Sequence, residues 1–380
     1  MYTPSTGPLV CPHCSATKIV GFGAKKGQIF IDLPHDGKPT FVSIDRKRYR
    51  CKGCGKTFLE RLDGIDERRN LSLRLISYIQ RLSVLKPFQS IANEVGVTEG
   101  TVRNIFNEYL AQLEGNLDLP APDILSIDEI TVIGKPRYLA SDFRRGVIVG
   151  IMEGKDRTTI TAALQRLSNP DRVKTVIMDI NPECRGAVEE LFPQAKIVVN
   201  PAYIINTVLR FLEAMRKATR KGLPAKDSRL LAHDRELIVK LHRALTDQDK
   251  EQLAKWEERF KKLAAGYWRK EELRAILDGG DREQAMESFL FWQNNVLADS
   301  LTEYLPVIDS IFEWREQVFG WIDLPFTNKN DHYKRISALE STIEKGMRGY
   351  SFDAVKARLL AGKAMQHGFG ISIYKATERF

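Results

Sequence analysis

The sequence predicts an α/β plus α protein in which two small N-terminal modules precede a larger α/β domain. Two CxxC pairs lie within the first 54 residues, and a helix-turn-helix pattern follows between residues 87 and 106. Beyond these modules, strand-like and helical segments alternate from residue 123 to residue 199. Such alternation is typical of a sheet covered by helices, whereas the first two patterns are typical of binding modules.

The first module is predicted from four cysteines arranged as Cys11-Pro-His-Cys14 and Cys51-Lys-Gly-Cys54. Each pair can direct two thiolates at one ion, and four thiolates complete a closed tetrahedral Zn²⁺ shell that leaves no position for chemistry. The sequence therefore predicts a zinc ribbon over residues 1–62 with a structural Zn²⁺ ion. A β-hairpin is predicted between the two pairs. A pair of disulfides is the alternative interpretation of the cysteines.

The second module, residues 63–118, is predicted to be a helix-turn-helix domain. Gly96 is placed to make the turn, and Thr98 is placed to cap a second helix whose apolar residues would be buried. The outward residues of that helix could read base edges in a major groove, where Arg suits guanine and Asn suits adenine. An ordinary helical hairpin is the alternative. The candidate DNA-binding residues of this helix are Thr98, Thr101, Arg103, Asn104 and Asn107.

The charge distribution favours a polyanionic partner for the N-terminal modules. The net charge is +9, and residues 1–115 carry 17 Lys and Arg against 11 Asp and Glu, a surplus of six. Solubility alone is the alternative explanation, but this surplus beside a helix-turn-helix favours double-stranded DNA. The basic run before the second cysteine pair adds the candidates Arg46, Lys47, Arg48 and Arg50. The absence of a long apolar run or a signal-peptide pattern predicts no membrane association and a cytoplasmic location.

The α/β domain is predicted to begin after the proline-rich linker at residues 119–122. Its first strand contains Asp128, and its third strand ends at Asp179. Carboxylates at strand ends suit Mg²⁺ or Mn²⁺, and a pair of such ions can catalyse phosphoryl transfer. A capping or salt-bridge role is the alternative for each acid.

The order of these motifs resembles the ISL-type DDE transposases of bacterial insertion sequences. The motifs that carry the resemblance are the zinc ribbon, the helix-turn-helix, Ser126-Ile127-Asp128-Glu129, Val176-Ile177-Met178-Asp179, residues 192–199 and Arg348-Gly349-Tyr350-Ser351-Phe352. The resemblance implies a ribonuclease-H-like core over residues 123–203 and 321–372, interrupted by a helical insertion over residues 204–320. It further implies that a homodimer binds inverted-repeat ends at the bacterial nucleoid and that Asp128 and Asp179 bind catalytic Mg²⁺ or Mn²⁺.

The sequence departs from the family pattern where a third metal-binding carboxylate belongs. Anchored on Thr327-Asn328, the family's glutamate falls on His332; anchored on residues 349–352, it falls on Lys334. The nearest candidates for a third acid are Asp331 and Glu340.

A second departure follows the fourth strand, where the family tends to have Asp and this chain has Asn200. Two hypotheses therefore remain open. One is an active transposase that cleaves and joins DNA strands. The other is a DNA-binding derivative without cleavage activity, which would act as a repressor, architectural protein or recruitment factor.

Overall fold

A computed structural model describes residues 10–116, 119–232, 234–325, 329–347 and 350–366. The chain forms two compact units. Unit 1 combines Met1–Asp118 with Ser341–Phe380, and unit 2 is Leu119–Glu340. Within the described residues, no helix is both long enough and apolar enough to cross a membrane.

Unit 1 begins with a five-stranded sheet built on one long hairpin. Its strands are β1 (Ile19–His35), β2 (Lys38–Cys51), β3 (Thr57–Leu59), β4 (Ile65–Asp66) and β5 (Leu71–Ser72), in the order β3-β2-β1-β5-β4. Asp36 and Gly37 join β1 to β2, and both have positive φ angles, as a two-residue hairpin turn requires. The predicted hairpin is thereby confirmed, although its strands extend much further than the sequence indicated.

Three helices follow: α1 (Leu73–Ser83), α2 (Phe88–Val95) and α3 (Glu99–Asn116). Gly96 ends α2 in the left-handed conformation, with a φ angle of 76°. The Thr98 Oγ1 atom accepts a hydrogen bond from the Thr101 backbone N–H at 3.2 Å and so caps α3. Val102 and Phe106 are fully buried in the core that the three helices share. The turn, the cap and the buried face all agree with the predicted helix-turn-helix.

Unit 2 contains the sheet of the predicted α/β domain. Its strands are β6 (Leu119–Pro120), β7 (Ile124–Val132), β8 (Lys135–Asp142), β9 (Ile148–Met152), β10 (Leu167–Ser168), β11 (Thr175–Met178) and β12 (Lys196–Val199). The main sheet has the order β12-β11-β7-β8-β9; β7, β8 and β9 are antiparallel, whereas β11 and β12 run parallel to β7. A separate two-stranded sheet pairs β6 with β10. The helices α4 (Arg157–Leu164) and α5 (Pro182–Leu191) belong to the same α/β region.

The helical insertion follows β12. Its helices are α6 (Pro201–Lys221), α7 (Ala225–Ala232), α8 (Arg235–Val239), α9 (Asp247–Arg259), α10 (Lys261–Leu277), α11 (Arg282–Ala298), α12 (Leu305–Glu313) and α13 (Arg315–Phe319). Trp256, Trp292, Trp314, Tyr267 and Tyr304 are among its fully buried side chains. These aromatic residues therefore form the core of the insertion.

The last two helices of the described residues are α14 (Lys329–Gly346) and α15 (Phe352–Gln366). The small side chains Ala354, Ala357 and Ala361 of α15 lie in the hydrophobic core of the helix-turn-helix. Residues 341–366 thus pack with unit 1, whereas the sequence analysis assigned residues 321–372 to the α/β core. Alanine has little apolar bulk, so its pattern in α15 gave no sign of which core it joins. Arg348, Gly349 and residues 367–372 lie outside the described part of the chain.

Candidate nucleic-acid interface and carboxylate cleft

The four predicted zinc ligands converge in unit 1. The sulfur atoms of Cys11, Cys14, Cys51 and Cys54 all lie within 4.8 Å of one another. The Sγ atoms of Cys11 and Cys54 are 3.8 Å apart, and those of Cys14 and Cys51 are 3.6 Å apart. Four sulfurs about 2.3 Å from a tetrahedral Zn²⁺ ion would be separated by about 3.8 Å. The cluster therefore fits a structural zinc ion, and all five cysteines of the chain are free thiols rather than disulfides.

Backbone hydrogen bonds prepare this cluster to hold a cation. The Cys54 backbone N–H, assisted by that of Gly53 and opposed by burial, lowers the pKa of Cys51 to about 7. The His13 N–H also donates to Cys11 Sγ at 3.4 Å. These donors stabilise thiolates, and thiolates are the form that binds metal.

The exposed face of α3 borders a cleft of about 440 Å³. Of the residues predicted to read bases, Thr101, Asn104 and Asn107 line it, and both asparagines are exposed. Arg68 and Arg69, on the segment before β5, line the same cleft. The sequence analysis did not select these two arginines, although they stand as an adjacent basic pair just before the helical region.

Two predicted DNA contacts are already engaged within unit 1. The Arg103 Nη2 atom donates to Glu99 Oε1 at 2.6 Å, and its guanidinium group lies over the rings of Phe88 and Tyr350 at 5.4 and 5.6 Å. This contact set gives Arg103, whose side chain is 38% exposed, a packing role against the two rings.

Arg46 requires a correction, because its side chain is buried. The residue is 2% exposed, and its guanidinium group donates to the Glu60 carbonyl oxygen, to Gln28 and to Glu67. A buried and fully paired guanidinium group is unable to reach a phosphate, so Arg46 supports the fold. Its neighbours Lys47, Arg48 and Arg50 are exposed on β2.

Two carboxylates of unit 2 lie side by side on adjacent parallel strands of the main sheet. Ile127 of β7 pairs with Met178 of β11, so Asp128 and Asp179 are the next residues on the two strands. Both acids line a cleft of about 680 Å³ together with Glu129 and Glu340. The basic side chains of Lys155 and Arg210 line the same cleft. The sheet thus brings the two predicted acids to one site.

The Asp128 carboxylate contacts a hydroxyl group and an imidazole ring rather than another carboxylate. The Ser126 hydroxyl donates to Asp128 Oδ2 at 2.6 Å, and His332 Nε2 lies 2.9 Å from the same oxygen. His332 comes from α14, is 1% exposed and stacks on Phe143 with ring centroids 4.6 Å apart. Its buried Nδ1 atom has no hydrogen-bond partner among the residues that the structure describes. Because Ser126 already donates its proton to Asp128, the consistent arrangement has His332 donating from Nε2–H.

The structure distinguishes the two alignments that place the family's third metal-binding residue on His332 or on Lys334. His332 lies against Asp128, whereas Lys334 is 79% exposed and its Nζ atom is 3.7 Å from Asp331 Oδ1. Glu340 lines the cleft, but its Oε1 atom accepts a hydrogen bond from the Thr131 backbone N–H at 2.7 Å. The anchor residues Thr327 and Asn328 lie outside the described residues.

Asn200, at the end of β12, also makes fixed contacts. Its Oδ1 atom accepts a hydrogen bond from the Ala202 N–H at 2.8 Å, which caps α6, and another from the Tyr333 hydroxyl. The position where the resemblance implies an acid therefore serves as a helix cap.

Burial, and to a smaller extent the negative charges of Asp128 and Glu129, raise the pKa of Asp179 to about 7. The Glu129 backbone N–H and the positive charge of Arg210 act in the opposite direction. The cleft is therefore crowded with negative charge that its own cations only partly offset.

Comparison with known protein families identifies the chain. A transposase family model of the DDE type, ISL3, matches residues 125–329, and a model for the helix-turn-helix domain of transposase family ISL3 matches residues 60–110. The chain belongs to the ISL3 transposase family. A comparison with curated proteins gives no match. This ISL3 transposase therefore has a DNA-binding helix-turn-helix domain, in agreement with the sequence analysis.

The DDE name of the family implies catalytic divalent metals, and the described residues fit them poorly. Among those residues, the four cysteines are the one group of three or more candidate ligands with donor atoms within 4.8 Å. Asp128 and Asp179 do not form such a group with Asp331 or Glu340. One oxygen of Asp128 is moreover occupied by Ser126 and His332. A paired metal centre is therefore not assembled among the described residues.

Proposed function

We propose that this ISL3 transposase recognises the inverted-repeat ends of an element as double-stranded DNA, bound by a homodimer. The exposed Asn104 and Asn107, which share a cleft with the half-buried Thr101, support this proposal, because amide side chains on such a helix can pair with adenine edges. Arg68 and Arg69 beside that face supply positive charge for the DNA backbone. The exposed Lys47, Arg48 and Arg50 of β2 would add sequence-independent phosphate contacts.

We also propose that the cysteine cluster binds one structural Zn²⁺ ion per chain. The sulfur spacing near 3.8 Å supports tetrahedral zinc, and four thiolates leave the ion no position for a substrate. The ion would fix the hairpin that precedes the helix-turn-helix. Its role is then to hold the basic strand β2 in shape.

DNA recognition is tested by selection of a bound sequence from a random duplex library, followed by titration of the selected duplex. Asn104→Ala should weaken the selected duplex by about 1–3 kcal/mol and leave random duplex almost unchanged. Asn295→Ala, an exposed asparagine on α11 of unit 2, is the matched control. Equal weakening of both duplexes would contradict base recognition by α3.

We propose further that strand cleavage has been lost, so that the protein acts by binding, as a repressor, architectural protein or recruitment factor. The contact between His332 and Asp128 carries this proposal. An imidazole at the third position supplies no negative charge for a hard cation, and its N–H occupies an oxygen that the cation would need. Asn200 removes another negative charge from the same region.

Metal-dependent cleavage and joining of DNA strands is the second candidate function. Five carboxylates line the cleft, from Asp128, Glu129, Asp179, Glu183 and Glu340, and this concentration of acids favours cation binding there. Bound metal ions would supply the charge stabilisation that phosphoryl transfer needs. Asp331 would be the other source of a third ligand, although it is paired with Lys334 here.

Incubation of labelled end-sequence duplex with Mg²⁺ or Mn²⁺ decides between the two functions. The wild type should bind the duplex without cutting it. Cleavage that disappears in Asp179→Ala would establish the second function. His332→Glu provides the complementary test, since it restores an acid beside Asp128 and should raise the melting temperature in the presence of Mn²⁺, whereas His332→Gln should not.

A further inference from the structure

One acidic side chain lies on the proposed DNA-facing side of α3. Glu108 follows Thr101 and Asn104 by seven and four residues, so the three share one face of the helix. It lines the same cleft as both residues, and its side chain is 54% exposed. A carboxylate in this position repels DNA phosphates unless a cation neutralises it.

Two arginines neutralise that carboxylate. Arg68 Nη2 lies 2.8 Å from Glu108 Oε1, and Arg69 Nη2 lies 2.5 Å from the same oxygen. Arg69 is also fixed by Asp66, whose Oδ2 atom accepts from Arg69 Nη1 at 2.5 Å. Arg68 is 69% exposed and Arg69 is 14% exposed, so one arginine is anchored and the other is solvent-accessible.

Two guanidinium groups converging on one oxygen form the donor arrangement that binds an oxyanion. The four side chains sum to zero charge, because Asp66 and Glu108 offset Arg68 and Arg69. The arginines therefore contribute little attraction for DNA while Glu108 occupies them. A phosphate oxygen in place of the Glu108 carboxylate would find both donors already in position.

We propose that Arg68 and Arg69 form a clamp for one or two DNA phosphates and that Glu108 closes the clamp in the free protein. This inference rests on the proposed DNA-binding function. A backbone phosphate displaces Glu108 when base contacts by Asn104 and Asn107 seat α3 in its site. On random duplex these contacts are missing, so the closed clamp weakens non-specific binding and thereby increases specificity.

The clamp is tested by measuring Kd for random and selected duplexes over a range of salt concentrations, using the full chain. Glu108→Gln removes the internal competitor while preserving size. Each phosphate contact adds about 0.9 to the slope of log Kd against log salt concentration. One contact therefore changes the affinity about 8-fold between 1 M and 0.1 M salt. Glu108→Gln should therefore tighten random-duplex binding about 5- to 10-fold at 0.1 M salt and reduce the ratio of selected to random affinity.

Two controls separate the clamp from a simple change in charge. Glu189→Gln, on α5 of unit 2, breaks a surface pair with Arg185 and has nearly the same exposure, 55%. It should leave both affinities unchanged. In a double-mutant cycle, Arg68→Ala should remove about half of the gain caused by Glu108→Gln.

The outcomes are distinct. A gain from Glu108→Gln that depends on Arg68, at an unchanged melting temperature, supports the clamp. An equal gain with and without Arg68 shows simple repulsion by the carboxylate and overturns it, as does an unchanged salt slope. If the wild type binds random and selected duplexes equally, the proposed recognition function itself fails.

Discussion

Replacing Asp179 with asparagine should stabilise the protein at alkaline pH and have little effect at acidic pH. Burial and the neighbouring acids raise the pKa of Asp179 to about 7 in the folded chain, against about 3.9 for an unfolded aspartate. As the pH rises, the unfolded chain releases this proton first, so folding stability falls between about pH 4 and pH 7. Each pH unit of that interval lowers the free energy of unfolding by about 1.4 kcal/mol. The ionised carboxylate therefore lowers it by about 4 kcal/mol in total.

Asparagine removes this cost and keeps an oxygen that can accept the Glu129 backbone N–H. A unit of this size gains about 2–4 °C in melting temperature per kcal/mol. Melting curves between pH 4 and pH 8.5, without added Mg²⁺ or Mn²⁺, should therefore show Asp179→Asn several degrees above wild type at pH 8.5 and nearly equal to it at pH 4. Asp171→Asn, at an exposed position of unit 2, should show no such trend. Equal melting temperatures of wild type and Asp179→Asn at pH 8.5 would show that the ionised Asp179 does not destabilise the folded protein.

Three further predictions concern unit 1. Cys51→Ser should lose the zinc ion and unfold the N-terminal module, which metal analysis and circular dichroism would detect; wild-type protein that is folded and zinc-free would contradict this. Arg103→Ala should lower the melting temperature and weaken binding to selected and random duplexes alike, since the Arg103 guanidinium group packs on aromatic rings. A loss of affinity restricted to the selected duplex would show instead that Arg103 reads bases. Ala357→Leu should overpack the helix-turn-helix core by about 1–3 kcal/mol and weaken DNA binding in proportion, with exposed Asp353→Asn as the neutral control.

The modules of unit 1 were predictable because their signals are local. Paired cysteines, a glycine at a turn and a threonine at a helix start each act through neighbours in the sequence. The burial of Arg46 was not predictable, because its partner Glu60 is brought to it by the pairing of β2 with β3, and its partner Glu67 lies 21 residues away, just after β4. A basic run on an amphipathic strand looks the same whether one member points inward or all point outward.

The five-stranded sheet of the α/β core was predicted except for β8, whereas the short strands β6 and β10 of the separate sheet were not predicted. Strand β8 begins with Lys135-Pro136-Arg137, and its buried part spans only Tyr138–Ser141, too short a run to distinguish from a loop. The third position of the carboxylate site could not be settled from sequence either, since the two alignments differ by two residues on one helix. Two residues rotate a side chain by about 200° around α14. Only the packed helix shows that His332 faces Asp128 and that Lys334 faces solvent.

The packing of α15 into the helix-turn-helix core makes unit 1 discontinuous in the sequence. The ribosome completes α3 early, but the alanine face that covers its core emerges only after the whole of residues 119–340. A nascent chain therefore has an incomplete DNA-binding unit with an uncovered apolar core. We therefore expect a truncated copy that lacks α15 to bind the proposed DNA sites more weakly than the complete protein does.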